Sequence, residues 1–96
     1  MLQFQPRHDR SDHEAYTCVE VKTPLSPSAG EFYALIDTNK KTGKTTLTIS
    51  GTYGEYEIIN ATFECRDEDS AKKAAVKIMS SIQFLCSEGL LYNPKG

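Results

Sequence analysis

The sequence contains no tryptophan, no long apolar run and very little net charge. Its 96 residues include 11 Lys and Arg against 13 Asp and Glu, for a formal net charge of −2. No stretch approaches the roughly 20 apolar residues of a membrane span, and the amino-terminal residues lack the apolar centre of a signal peptide. Domains that bind nucleic acid through charge usually carry a basic excess. We therefore expect a cytoplasmic protein without a membrane partner, for which nucleic acid is the less favoured ligand.

Cysteine is scarce, and its spacing fits neither a disulfide framework nor a zinc site. Cys18, Cys65 and Cys86 are odd in number, far apart and in no C-x-x-C pair. We expect buried, reduced thiols. The first segment contains a cluster of metal-capable side chains, namely His8, Asp9, Asp12, His13 and Glu14. Their spacing matches no standard zinc or calcium pattern, so we expect no metal and no cofactor.

The rest of the sequence indicates one small α+β domain. Residues 1–14 are polar and mixed in charge, and we expect a tail or a loosely held first segment there. Residues 15–96 form the expected single domain. Alternating apolar and polar residues predict strands at 16–22, 31–38, 44–50 and 55–65. With no parallel crossovers and one final helix, the pattern predicts an antiparallel β-meander of three to four strands, with the C-terminal helix packed on one face as a two-layer sandwich.

The helix is the clearest local feature. An apolar stripe with helical spacing runs through Ala71, Ala74, Ala75, Ile78, Ile82 and Leu85. Acidic residues at 67–69 suit an N-cap and the positive end of the helix dipole. With Gly89 in the left-handed conformation after the last turn, Leu90 would contact Leu85 in a Schellman motif.

The last strand changes its apolar register midway. Tyr56 and Ile58 share one face, whereas Ile59, Ala61 and Phe63 share the other. Because a one-residue shift exchanges the two faces of a strand, a bulge must absorb it. We expect this irregularity near residues 59–60.

No motif indicates catalysis. The run Thr42-Gly43-Lys44-Thr45 resembles the end of a phosphate-binding loop, but that pattern needs a glycine where Thr38 stands and a helix afterwards. A strand is predicted there instead, so we interpret the run as a hairpin turn. The chain also has little bulk with which to enclose a substrate. We expect that the protein is not an enzyme.

The charge pattern favours a protein-binding function. Between residues 55 and 69 there are six acids and one base, Arg66. We hypothesise a non-enzymatic module that acts as an inhibitor or adaptor of a larger, nucleic-acid-handling complex, in the manner of phage-encoded anti-CRISPR proteins. Carboxylates would then stand where the target expects phosphates. The candidate contact residues are Glu55, Glu57, Glu64, Asp67, Glu68 and Asp69, together with Tyr33 and Leu35. Tyr33 and Leu35 either face a partner on the uncovered side of the sheet or pack under the terminal segments.

A second hypothesis concerns the lysines of the predicted hairpin. Lys40, Lys41 and Lys44 lie together with no acid between Asp37 and Glu55, and they could contact phosphates. The protein would then be a weak nucleic-acid-binding accessory domain. A homodimer through the uncovered sheet face or the sheet edge is compatible with either hypothesis.

Overall fold

The computed structural model describes residues 2–7, 15–26 and 29–91. In these residues, five antiparallel strands, paired in chain order, precede one helix. The elements are β1 (Gln5–Pro6), β2 (Tyr16–Thr23), β3 (Glu31–Asn39), β4 (Thr45–Tyr53), β5 (Tyr56–Cys65) and α1 (Glu68–Ser87). The predicted α+β meander with a C-terminal helix is confirmed, but the sheet has five strands rather than three to four. No helix in the described ranges is long and apolar enough to cross a membrane.

The additional strand is β1, which lies within the polar first segment. Gln5 pairs with Glu20, and Pro6 pairs with Val19. Leu2 packs against the core from the same segment. A two-residue strand has no alternation to detect, so its pairing depends on tertiary contacts rather than on a local pattern. Residues 8–14, including the metal-capable cluster, lie outside the described residues.

The helix covers one face of the sheet and contacts β3, β4 and β5. The side chains between the two layers are almost entirely buried: Val21, Phe32, Ala34, Ile36, Leu47, Ile49, Ala71, Ala75 and Met79. The opposite face of β4 carries Thr46, Thr48 and Ser50, and we call it the open face. Apolar and hydroxyl side chains therefore separate by strand alternation, as expected for an antiparallel sheet covered on one side.

Both ends of α1 have the predicted geometry. The Asp67 carboxylate accepts a hydrogen bond from the Ser70 N–H at 2.8 Å. At the other end Gly89 has φ +74°, and the Leu90 N–H donates to the Leu85 carbonyl at 2.9 Å. The Gly89 N–H donates to the Cys86 carbonyl at 3.2 Å, which completes the Schellman motif. These ends are encoded locally, because every partner lies within five residues.

The irregularity in β5 is confirmed one residue earlier than predicted. Gly51 pairs with Ile59 and Thr52 pairs with Glu57, so Ile58 is the extra residue of a bulge. Beyond the bulge, a two-residue connection joins β4 to β5, and Gly54 has φ +58° at its first position. A positive φ at that position is typical of a type II′ hairpin turn. The bulge leaves residues 59–65 as the regular part of β5.

Candidate functional site

The six candidate acids lie in two groups. Glu55 and Glu57 lie at the start of β5, whereas Glu64 lies near its end and residues 67–69 begin the helix. Glu57 and Glu64 are seven positions apart, about 23 Å at the rise of an extended strand. The acidic run of the sequence therefore does not form one compact patch. Glu68 contacts Lys72, whose Nζ lies 5.8 Å from the Phe4 ring, so Glu68 faces the first segment rather than β5.

Four of these acids already have partners, one of them Glu57, whose Oε2 accepts a hydrogen bond from Asn60 Nδ2 at 3.3 Å. Glu64 Oε1 lies 3.3 Å from Lys44 Nζ, and Glu68 Oε2 lies 3.4 Å from Lys72 Nζ. Asp67 is the helix cap, and hydrogen bonds from Ser70, its backbone N–H above all, hold the pKa of Asp67 below its ordinary value. Charge reversal at Asp67 would therefore disturb folding as well as any partner contact.

The predicted lysine tip is the β3–β4 hairpin. The Asn39 Oδ1 atom accepts hydrogen bonds from the backbone N–H groups of Lys41 (2.9 Å) and Thr42 (3.2 Å). Gly43 donates its N–H to the Asn39 carbonyl at 2.7 Å and has φ +75°. The phosphate-loop fragment is thus a tight polar turn followed by a strand, as predicted. Because Lys44 contacts Glu64, the lysines and the second acidic group share one end of the molecule.

Tyr33 lies on the open face and is engaged by the first segment. Its hydroxyl accepts a hydrogen bond from Arg7 Nη1 at 2.8 Å and donates one to Glu20 Oε2 at 2.8 Å. Burial, followed by the hydrogen bond to Glu20, raises the pKa of Tyr33. Leu35 is only 6% exposed on the same face. The expectation that Leu35 offers an exposed apolar contact is wrong, and Tyr33 packs under the first segment as the second alternative proposed.

All three cysteines lie in the described ranges and none is in a disulfide, and two of them are buried as expected. Cys18 and Cys86 are buried, whereas Cys65 is half-buried. Burial, with a smaller contribution from the Asp67 charge, raises the pKa of the Cys65 thiol. A raised pKa lowers the thiolate fraction, which is the reactive form. Within the described ranges, no group of three His, Cys, Asp or Glu side chains could hold a metal ion.

A groove of about 410 Å³ lies between the β2–β3 connection and the second half of α1. Gln83 Nε2 donates a hydrogen bond to the Pro24 carbonyl at 2.8 Å across it. Its remaining lining consists of hydroxyl and apolar groups: Thr23, Ser26, Ser80, Phe84 and Ser87. None of these side chains is an acid or base near neutral pH, so the groove has no pair suited to proton transfer.

The outer edge of β5 is the most extensive backbone surface left open in the described parts of the chain. β5 is ten residues long and is the last strand of the described sheet, in which it pairs only with β4. We call the outward-facing backbone of residues 59–65 the β5 edge. Natural sheets usually shorten such edges or place lysine or proline on them. β5 contains neither, and its two charges are Glu57 and Glu64.

The hairpin fixes which backbone groups point outward. The Asn39 N–H bonds to the Lys44 carbonyl on the β4 side, and the Lys40 N–H bonds to the Ala15 carbonyl on the β2 side. Because the direction alternates along an antiparallel strand, the even-numbered residues of β4 bond to β3. Its residues 45, 47, 49 and 51 then bond to β5. Their partners are Cys65, Phe63, Ala61 and Ile59.

It follows that Asn60, Thr62 and Glu64 direct their N–H and C=O groups away from the sheet. No described residue forms a backbone hydrogen bond with these groups. Their side chains lie on the open face, where the Thr62 hydroxyl is 3.3 Å from the Thr48 hydroxyl. On the helix side, Phe63 is 41% exposed. The edge therefore combines free backbone groups with an apolar side chain on one face and a carboxylate on the other.

Sequence reasoning placed Glu57 and Glu64 correctly in a strand but did not identify Asn60, Thr62 and Phe63. A signal was present, because the last strand of a meander has a neighbour on one side only. No family model, curated protein or solved structure matches the chain.

Proposed function

We propose that the protein is a non-enzymatic binding module, an inhibitor or adaptor of a larger complex, that takes up an extended segment of its partner at the β5 edge. The observation that carries the proposal is the outward backbone of Asn60, Thr62 and Glu64 on a long, regular strand, with which no described residue pairs. Addition of a strand to an exposed sheet edge is a recurrent mode of peptide recognition.

Strand addition at the β5 edge offers several favourable contributions to the binding free energy. Three outward N–H and three outward C=O groups are available over residues 59–65. Each backbone hydrogen bond contributes about 0.5–1.5 kcal/mol net, and ordering the partner segment opposes part of that gain. Burial of the exposed part of Phe63 adds an apolar contribution. The bulge at Ile58 limits the register, because regular pairing ends there.

The carboxylates beside the edge make this surface negatively charged. Glu55, Glu57 and Glu64 are exposed, and all three lie on or next to β5. A line of negative charge attracts basic partners and speeds their association at low salt. Inhibitors that occupy the nucleic-acid site of their target, such as anti-CRISPR-like proteins, are the instance of this class that an acidic edge would suit.

The test is a substitution that removes one outward N–H. Proline is tolerated on edge strands where the N–H faces solvent, so Thr62→Pro should fold while losing the central hydrogen bond and obstructing an added strand. Thr62→Ala removes the side chain and keeps the N–H. Affinity capture from a native-host lysate with nuclease should recover a stoichiometric partner with wild type and Thr62→Ala, but not with Thr62→Pro. Thermal melts of the three proteins control for folding.

Equal recovery by a folded Thr62→Pro variant would contradict the proposal. A capture that disappears with nuclease would instead favour nucleic acid as the partner. The lysine tip has less support in that role, because Glu64 and the acidic group at residues 67–69 lie at the same end of the molecule and would repel phosphates. If Lys40, Lys41 and Lys44 do bind phosphates, the affinity must fall steeply with salt.

A further inference from the structure

The two faces of the β5 edge differ in chemistry. Residues 59, 61 and 63 lie on the helix side, where Ile59 packs against the core and Phe63 remains 41% exposed. Asn60, Thr62 and Glu64 lie on the open face. A strand added here would place its alternate side chains beside these two rows. One row of the partner therefore meets apolar groups, and the other meets polar and acidic groups.

The charges near Asn60, Thr62 and Glu64 decide which partner side chains are favoured on the open face. Residues 55–65 contain three acids and no base. Lys44 contacts Glu64 at 3.3 Å, but the two side chains are 63% and 76% exposed. Arg66, which follows the strand, contacts Asp67 at 3.6 Å. Exposed pairs of this kind are weak and screened by water, so Lys44 leaves the carboxylate available to a partner. Opposite charges across a strand pair stabilise it, and like charges destabilise it.

Repulsion between carboxylates disfavours a second copy of this chain as the occupant of the β5 edge. Pairing two β5 edges would bring the Glu64 carboxylate of each copy to one seam, with Glu55 and Glu57 just beyond the bulge and without a base from residues 55–65 of either copy. A basic segment encounters attraction at the same positions. Resting on the function proposed above, we infer that the β5 edge binds an extended segment of a partner protein in which basic and apolar residues alternate.

Three peptides of seven residues, matched to the regular length of the edge, test this inference. The first alternates lysine with valine, the second alternates glutamate with valine, and the third has the lysines and valines of the first in two blocks. Binding is measured by fluorescence anisotropy at low salt. Amide exchange by NMR reports on Asn60, Thr62 and Glu64.

The alternating lysine peptide should bind about tenfold more tightly than the glutamate peptide, since attraction at the carboxylates is replaced by repulsion. It should also slow exchange of the three outward amides. Glu64→Gln should reduce the preference for lysine, whereas Glu68→Gln, the same change away from the edge, should not. Thr62→Pro should abolish both binding and protection.

Equal binding of the lysine and glutamate peptides would overturn the inference while leaving strand addition intact. Equal binding of the block peptide without amide protection would also overturn it, because the attraction would then be independent of the edge. Concentration-dependent protection without peptide would assign the edge to a second copy. If no peptide protects these amides but Thr62→Pro still loses the lysate partner, the inference fails and the proposed function stands. If Thr62→Pro retains that partner, the proposed function fails as well.

Discussion

Gly30 and Gly43 offer a comparison of backbone strain with and without steric crowding. Both have positive φ, +85° and +75°. A Cβ atom added at Gly30 would lie 2.6 Å from Leu25 Cβ, 3.0 Å from a Tyr53 ring carbon and 3.1 Å from the Thr52 carbonyl oxygen. A Cβ atom at Gly43 would meet nothing within 4 Å. Alanine is therefore strained at both positions but collides with other atoms only at Gly30.

The expected loss in free energy of unfolding at each position follows from these contacts. The left-handed conformation costs an L-residue about 1–2 kcal/mol, offset by about 0.4–1 kcal/mol because the unfolded chain loses freedom. Gly43→Ala should therefore lower the free energy of unfolding by about 1 kcal/mol. Overpacking adds about 1–3 kcal/mol at Gly30, since Leu25 is fully buried and its Cβ is not a flexible end. Gly30→Ala should cost about 2–4 kcal/mol in total.

Thermal unfolding followed by circular dichroism measures both effects. For a domain of this size, about 1 kcal/mol corresponds to about 4–8 °C in the melting temperature. The Gly30→Ala variant should therefore melt at least about 8 °C below wild type, and clearly below Gly43→Ala. Equal melting temperatures for the two variants would refute the packing of Leu25 and Tyr53 around Gly30.

Three further predictions concern the helix cap, the core and the tyrosine on the open face. The lowered pKa of Asp67 means that its stabilising contribution is present above the unfolded pKa and is lost as pH falls through the folded pKa. Asp67→Ala should thus lower the melting temperature at pH 7, with a difference from wild type that narrows below about pH 4, whereas Asp67→Asn should keep an acceptor and lose the pH dependence. Met79→Ala should cost about 2–5 kcal/mol in a denaturant titration, because Met79 is fully buried between the layers. Tyr33→Phe should cost about 1 kcal/mol or less in the same titration, because it removes the hydroxyl that joins Arg7 to Glu20.

Local features of the fold were predictable because their partners are close in sequence. The cap at Asp67 and the Schellman motif at Gly89 depend on partners within five residues. The bulge at Ile58 was visible as a change of apolar register within one strand. The prediction of which helix residues form the buried stripe was less accurate. Met79 is fully buried although the predicted stripe passed through Ile78, which is only partly buried. The angular position of a helix on a sheet depends on the packing of both layers, which periodicity alone does not define.

Features that depend on tertiary contacts were not predictable from local patterns. The pairing of β1, the burial of Leu35 and the contact between Lys44 and Glu64 join segments far apart in the chain. The candidate site was predictable from the sequence only in part. Its acids were visible in the sequence, but the direction of the backbone groups at Thr62 follows only from the strand order and the hairpin register.

Hydrogen exchange of the free protein, followed by NMR residue by residue, tests the open β5 edge most directly. If the edge is open, the amide exchange rates should alternate from residue to residue along residues 59–64. The amides of Asn60, Thr62 and Glu64 should exchange rapidly, whereas those of Ile59, Ala61 and Phe63 should be protected by their bonds to β4. Uniform protection of all six amides in dilute protein would contradict the account, because the edge would then already be paired.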